Sequence, residues 1–325
     1  MKFGTGMMAD IHSRLDGSLI AATPVPFDAN GKLHERAQAA YLNYLTKQPI
    51  TGVAVWAHTG RGLLMDEKTR LRVLRDYRQA LPSTLIVAGV GAPPNASLDE
   101  ATTLTVAMAE SAATLGGDAL LVYPPTWLRG QQPIDELIVE HHRLVARVGM
   151  PLIVFYLYEA AGGISYSAAV LDELLALPEV VGVKMATLDS VMTFQDVSRQ
   201  LKTRNPDKLL ISGEDRFLGY SLRRGAQAAL IGLGSVCCEL QSDLLTAHFD
   251  GNTARFLELS DAVDRLAESL FIDPMEGYIQ RLLFALVHLG VIPMEGAFDP
   301  WAPDLRPDEF DQIGSAVNAV VAAVR

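Results

Sequence analysis

The chain has 325 residues, 49% of them hydrophobic, and a formal charge of −11 at pH 7. That is ample for a large core, in two domains or one barrel-sized domain, and with no basic block it argues against nucleic acid as a partner. The longest apolar runs, such as "LLFALVHLGVI" at 282–292, are too short to span a bilayer, which argues against a membrane protein.

The opening stretch, residues 1–16, lacks the apolar core of a signal peptide and reads as a short polar extension, so a cytoplasmic protein is expected. Beyond it, short β-branched runs alternate with helical patterns. "SLIAATPV" (18–25) precedes a helical stretch at 33–47, and "GVAVWA" (52–57) precedes "DEKTRLRVLRDYRQAL". "TLIVAGVG" (84–91) precedes a long helix, in which Ser97 and Glu100 have the spacing of a capping box. "DALLVYP" (118–124), "PLIVFYLY" (151–158), "VVGVKMA" (180–186) and "KLLISG" (208–213) are each followed by a helical pattern, and "AALIGLGS" (228–235) comes last.

Continuous apolar strands imply a parallel sheet covered on both faces. Eight βα units predict an α/β fold, a (β/α)8 TIM barrel over 17–238. An open doubly wound sheet competes, but no GxGxxG follows the first strand. From 239 to 325 the pattern is helical only, at 240–250, 252–270, 275–289 and 307–324, and predicts a C-terminal helical appendage.

In such a barrel the C-terminal strand ends carry the active site. Strand 2 ends in "AHTGRG", with His58, Thr59 and Gly60, a glycine-punctuated loop that either cradles an anion on its N–H groups or is an ordinary turn. Strand 4 ends in Tyr123, and strand 5 in Tyr156, Tyr158 and Glu159. Strand 7 ends in Gly213, Glu214 and Asp215, and strand 8 in Gly232. Strand 6 carries Lys184 in an otherwise apolar run. Burial disfavours the ammonium, so Lys184 is either a nucleophilic amine or a lysine paired with Glu214 or Asp215. The tyrosines and His58 are candidates to move a proton; Thr59, Gly60, Tyr158, Glu159, Gly213, Glu214 and Gly232 are candidates to bind substrate. His141 and His142 lie in a helical segment and read as a solvated or packed pair, and no metal cluster is expected. Adjacent Cys237 and Cys238 do not read as a disulfide.

"GSLIAATPVPFDANGKL", "AHTGRG", a "YPP" strand end, "FYLYEAAGG", "GVKMAT" and "LLISGEDRF" occur in one order that resembles the dihydrodipicolinate synthase / N-acetylneuraminate lyase family over about residues 17–295. "GVKMAT" resembles the family's Schiff-base strand and "AHTGRG" its carboxylate loop. The resemblance implies a class I, Schiff-base-forming aldolase or dehydratase of pyruvate or another 2-keto acid, such as a 2-keto-3-deoxy sugar acid. It places the imine on Lys184 and the carboxylate on His58, Thr59 and Gly60, without cofactor, in a homotetramer or dimer. Three positions depart from the pattern, the first being His58, where the family usually has Ser or Thr, which argues against a sialic acid lyase. Pro125 stands where the family has its catalytic tyrosine, which leaves Tyr123, Tyr156 or His58 to replace it. Ala161 stands where the synthase branch has an arginine for its second substrate. Dihydrodipicolinate synthase-type condensation, or a 2-keto-acid-binding protein without turnover, are the alternatives.

Overall fold

The computed structural model describes residues 5–188 and 190–324, and in it the eight apolar runs form eight parallel strands closed into one barrel. In chain order the first elements are α1 (Thr5–Leu15), β1 (Leu19–Ala22), α2 (Glu35–Leu45), β2 (Gly52–Val55), α3 (Glu67–Ala80), β3 (Leu85–Val90), α4 (Leu98–Thr114) and β4 (Ala119–Val122). There follow α5 (Ile134–Ala146), β5 (Leu152–Leu157), α6 (Ala168–Leu175), β6 (Val180–Ala186), α7 (Val191–Arg204), β7 (Leu209–Ser212), α8 (Leu218–Arg223) and β8 (Ala228–Ile231). β1 closes the ring on β8 with Ile20 opposite Leu230. Every strand residue is buried.

Strand alternation divides the core in two. On β5, Ile153, Phe155 and Leu157 point into the barrel, while Leu152, Val154 and Tyr156 face the helix layer. Residues 5–15 are not merely a polar extension: they form α1, whose Ile11 and Leu15 are buried in the same cluster as the barrel-interior Ile20, Leu85 and Leu230. The helix puts one apolar stripe against the barrel and leaves the rest polar, which is why its sequence looks hydrophilic. Residues 1–4 lie outside the described residues.

At the start of α4, Ser97 is the N-cap, but its hydroxyl bonds the Glu100 carboxylate at 2.8 Å instead of a backbone N–H. The capping-box spacing marks the helix start correctly while the hydrogen bonds differ. Cys237 and Cys238 are unbridged. His141 and His142 are buried between helices, with Trp127 against the first ring at 5.0 Å and Tyr166 against the second at 6.1 Å.

Four helices follow the barrel: α9 (Cys238–Phe249), α10 (Thr253–Leu270), α11 (Tyr278–His288) and α12 (Glu309–Val324). α11 buries Leu282, Leu283 and Leu286, each worth about 1.5–3 kcal/mol over exposure. At its N-terminus α11 brings Tyr278, and the turn before it brings Glu276, to the barrel's second strand loop. No helix among the described residues is long and apolar enough to cross a membrane.

Candidate active site

Lys184 opposes Phe155 on β5 and Ile211 on β7, so it shares their inward direction. Its side chain is buried inside the barrel, and Nζ lies over the Phe155 ring, 4.4 Å from the centroid. The strand that follows makes room for it. A Cβ on Gly213 would stand 2.5 Å from Lys184 Cε and 2.7 Å from the Met185 carbonyl oxygen, so only glycine lets the lysine lie across that backbone.

Burial pushes the Lys184 amine down to about 8, with the Asp215 and Glu214 carboxylates pulling the other way. Burial raises Asp215 to about 7, against the hydrogen bond from the Leu233 N–H and the charge of Lys184. The two share one low-dielectric compartment and titrate as a pair. The sign for reactivity is direct. Attack requires the neutral amine, so imine formation should rise with pH by up to tenfold per unit below about 8 and level off above it. Trapping rates from pH 6 to 9.5 measure this; a profile still climbing in proportion at pH 9.5 would mean an ordinary, solvated lysine.

The loop after β2 supplies the opposite wall. Trp56, fully buried, adopts φ 58°, and Arg61 closes the 3₁₀ turn His58–Gly60 with φ 53°. Gly62 permits this turn, since a Cβ there would meet the Trp56 carbonyl oxygen at 2.0 Å. Gly60 serves by shape: its N–H already donates to the Ala57 carbonyl at 2.9 Å, so its amide is not free for a carboxylate. Thr59 is buried, with its hydroxyl 3.0 Å from the Tyr278 hydroxyl. His58 Nε2 donates to Glu276 at 2.9 Å, because a carboxylate can only accept.

Glu276 and Tyr278 are site residues that the sequence reading does not pick out, as are Arg61 and Asp299. Arg61 is buried and donates to Asp299 through Nη2 at 2.7 Å and to Glu276 through Nη1 at 2.6 Å. Burial alone would raise the Glu276 carboxyl; His58 and Arg61 outweigh it and hold it at about 2. Tyr278 stacks on Phe271 at 4.8 Å and lies along Gly232, where a Cβ would be 3.2 Å from its ring and 3.3 Å from Thr59 Oγ1. The only hint in the sequence is a polar "EGY" at the head of an apolar helix.

Other candidates fall elsewhere. Tyr156 lies one residue out of phase with Phe155 and packs with the helix-layer cluster, with Tyr166 against its ring at 5.6 Å. Tyr123 is at the strand end, but its hydroxyl donates to the Trp56 carbonyl at 3.2 Å and its ring packs on Phe155 at 5.6 Å. The Glu214 oxygens accept from Thr187 N–H at 2.7 Å, Thr187 hydroxyl at 2.8 Å and Leu188 N–H at 2.9 Å. Glu214 therefore holds the loop after β6. Glu159 is exposed at the rim and takes a bond from Ser165 at 2.9 Å. Tyr158 is half-buried at the mouth, packed against the barrel-interior cluster. Among the described residues no group of three or more His, Cys, Asp or Glu is placed to hold a metal.

Between the β2 loop and the end of β5 lies a cavity of about 220 Å³, lined by His58, Arg61, Leu63, Tyr123, Ala161 and Glu276 among others. Lys184 and Asp215 interact, Asp215 acts on Tyr278, and Tyr278 meets the Thr59 hydroxyl; the cavity adjoins this chain of groups through His58 and Glu276.

Comparison with known proteins gives a consistent result. A model of the dihydrodipicolinate synthetase family matches residues 16–313. The chain is similar to 4-hydroxy-tetrahydrodipicolinate synthase of Pseudomonas aeruginosa, 26% identical over 281 residues that cover 85% of this chain and 89% of that protein. It is 29% identical to the protein of the same name from Prochlorococcus marinus strain MIT 9313, over 79% of this chain and 81% of that one. Among solved structures, a Ruminococcus gnavus sialic acid aldolase superposes with a TM-score of 0.81 at 17% identity, covering 96% of this chain and 100% of that one. A monomeric dihydrodipicolinate synthase variant also gives 0.81, at 18% identity over 96% and 98%. At these identities the structural likenesses speak for the fold.

Proposed function

The chain belongs to the dihydrodipicolinate synthetase family and is an enzyme of it, and from that premise we propose that it is a class I lyase acting on a 2-keto acid through a Schiff base on Lys184. One observation carries this reading: Lys184, the one buried lysine among the described residues, lies over Phe155 inside the barrel with its amine depressed to about 8 by burial. The neutral amine adds to the C2 carbonyl and water leaves. The resulting iminium accepts the electron pair released when a bond at C3 breaks. The same intermediate serves carbon–carbon cleavage, condensation and loss of a C4 hydroxyl by way of the enamine.

We assign the substrate carboxylate to Thr59, whose hydroxyl is buried beside Gly232 and is oriented by the Tyr278 hydroxyl at 3.0 Å. With Pro125 in the strand-4 position, Tyr123 bonded to Trp56 and Tyr156 on the outer face, the Thr59–Tyr278 hydroxyl pair is the best-supported group for moving the proton. A sugar-acid substrate would need hydroxyl ligands, yet Glu214 is already satisfied by the backbone and Glu159 sits at the rim. That leaves His58, Glu276 and Asp215 for the task.

The test is reduction with borohydride in the presence of pyruvate, followed by peptide mass spectrometry. A reduced pyruvyl adduct on Lys184 is the expected result. An unmodified Lys184 peptide, at pyruvate concentrations that modify a known class I aldolase, refutes the reading.

A further inference from the structure

We propose that the mouth cavity takes the aldehyde half of the substrate and selects a neutral aldehyde with an apolar body over a carboxylated one. The inference deepens, and rests on, the Lys184 imine.

Position comes first. Tyr123 lines the cavity, its ring is 5.6 Å from Phe155, and the Phe155 ring carries Lys184 Nζ at 4.4 Å. Two successive ring contacts, Tyr123 on Phe155 and Phe155 under Nζ, thus link the cavity wall to the amine. His58 and Gly62, which flank Thr59 and Gly60 on the same loop, line it as well. A keto acid held by Thr59 and joined to Lys184 would extend its remaining carbons this way.

Charge comes second. The lining contains one guanidinium, Arg61, and both its faces are occupied, by Asp299 at 2.7 Å and Glu276 at 2.6 Å. Glu276 presents an anion on the wall, with its side chain 36% exposed. A second carboxylate entering here would meet that anion, and Arg61 could bind it only by giving up a buried bond to Glu276 or Asp299. The rest of the lining includes Leu63, Leu64, Pro94, Ala160 and Ala161, which offer apolar contact. The volume, about 220 Å³, lies below the roughly 300 Å³ at which drug-sized pockets begin, so the aldehyde is short.

The step balances within the chain and its two substrates. Enamine formation releases the C3 proton. The enamine carbon then attacks the aldehyde carbon, the nitrogen pair re-forms C=N, and the carbonyl pair goes to oxygen, which takes that proton. Water hydrolyses the iminium and frees Lys184. Cleavage is the reverse.

A matched pair tests the inference: butanal and succinic semialdehyde differ by a methyl against a carboxylate at the same chain length. With the full chain and pyruvate, we expect kcat/KM for butanal to exceed that for succinic semialdehyde at least tenfold. Ala161→Arg places a cation on the wall and should shift the ratio toward succinic semialdehyde at least tenfold; Glu276→Gln, which removes the anion, should shift it the same way by a smaller factor. Equal or better use of succinic semialdehyde by the wild-type chain, or turnover of neither, overturns the inference. Borohydride trapping of pyruvate in the same preparation separates the two failures: an adduct leaves the imine standing, and its absence removes both.

Discussion

Lys184→Met should abolish the borohydride adduct and lower turnover by at least about a thousandfold, equivalent to about 4 kcal/mol of transition-state stabilisation. Methionine fills the space over Phe155 and beside Gly213 without a nucleophile, so chemistry is lost while packing is kept. Lys184→Arg should be equally inactive, because a guanidinium keeps its proton at any working pH. The stability of Lys184→Met carries a second signature. Asp215, raised by burial to about 7 even beside the lysine, loses its cationic neighbour and is raised further. Its folded pKa then lies well above the unfolded value, so the neutral carboxyl is tolerated at low pH and its ionisation costs stability as pH rises. Lys184→Met also removes a buried ammonium that costs wild type stability below about pH 8, so the variant should melt at least as high as wild type near pH 6 and lose that margin as pH passes about 7 to 8. Turnover retained in Lys184→Met would remove the chemical basis of the site. A melting difference independent of pH would show that Asp215 does not face Lys184.

The barrel was legible because parallel strands covered on both faces must be apolar throughout, and runs such as "LIVAGV" and "ALLV" have few other uses. Lys184 was legible for the same reason, as a charge where the pattern allows none. The direction of a side chain was harder to read. Tyr156 and Phe155 are equally apolar neighbours on β5, and only the register with Lys184 decides which of them faces the amine. Glu214 looked available because its partners, Thr187 and Leu188, lie 27 and 26 residues away on another loop. Glu276 and Tyr278 meet His58 and Thr59 across 218 and 219 residues. That meeting depends on how α11 docks against the barrel, and local hydrophobic period carries no record of docking. The helix α1 was read as polar because its buried face amounts to little more than Ile11 and Leu15.

The docking of α11 itself depends on one buried ion pair, and Arg281→Met should destabilise the fold by about 3–5 kcal/mol. Arg281 Nε donates to Glu309 Oε2 at 2.6 Å, with the two side chains 0% and 2% exposed. Nη1 donates to the Ile272 carbonyl at 2.7 Å and the Pro274 carbonyl at 3.1 Å. One guanidinium therefore joins α11, α12 and the backbone that leads into Glu276 and Tyr278. Removing it leaves Glu309 buried, with Arg306 reaching only the other oxygen, and leaves four carbonyls, those of Leu270, Ile272, Asp273 and Pro274, without this donor. Arg281→Met/Glu309→Leu removes both charges and should recover most of the loss, since an apolar pair of similar volume is often as stable as a buried ion pair. The carbonyls of Ile272 and Pro274 stay without the Arg281 donor in the double variant. Its stability should therefore return further than its kcat, because the strand of chain that aims Glu276 and Tyr278 at the site is no longer held. Denaturant unfolding and steady-state rates on the two variants decide it. Arg281→Met within about 1 kcal/mol of wild type, a shift typical of surface substitutions, would mean that the C-terminal helices are anchored elsewhere.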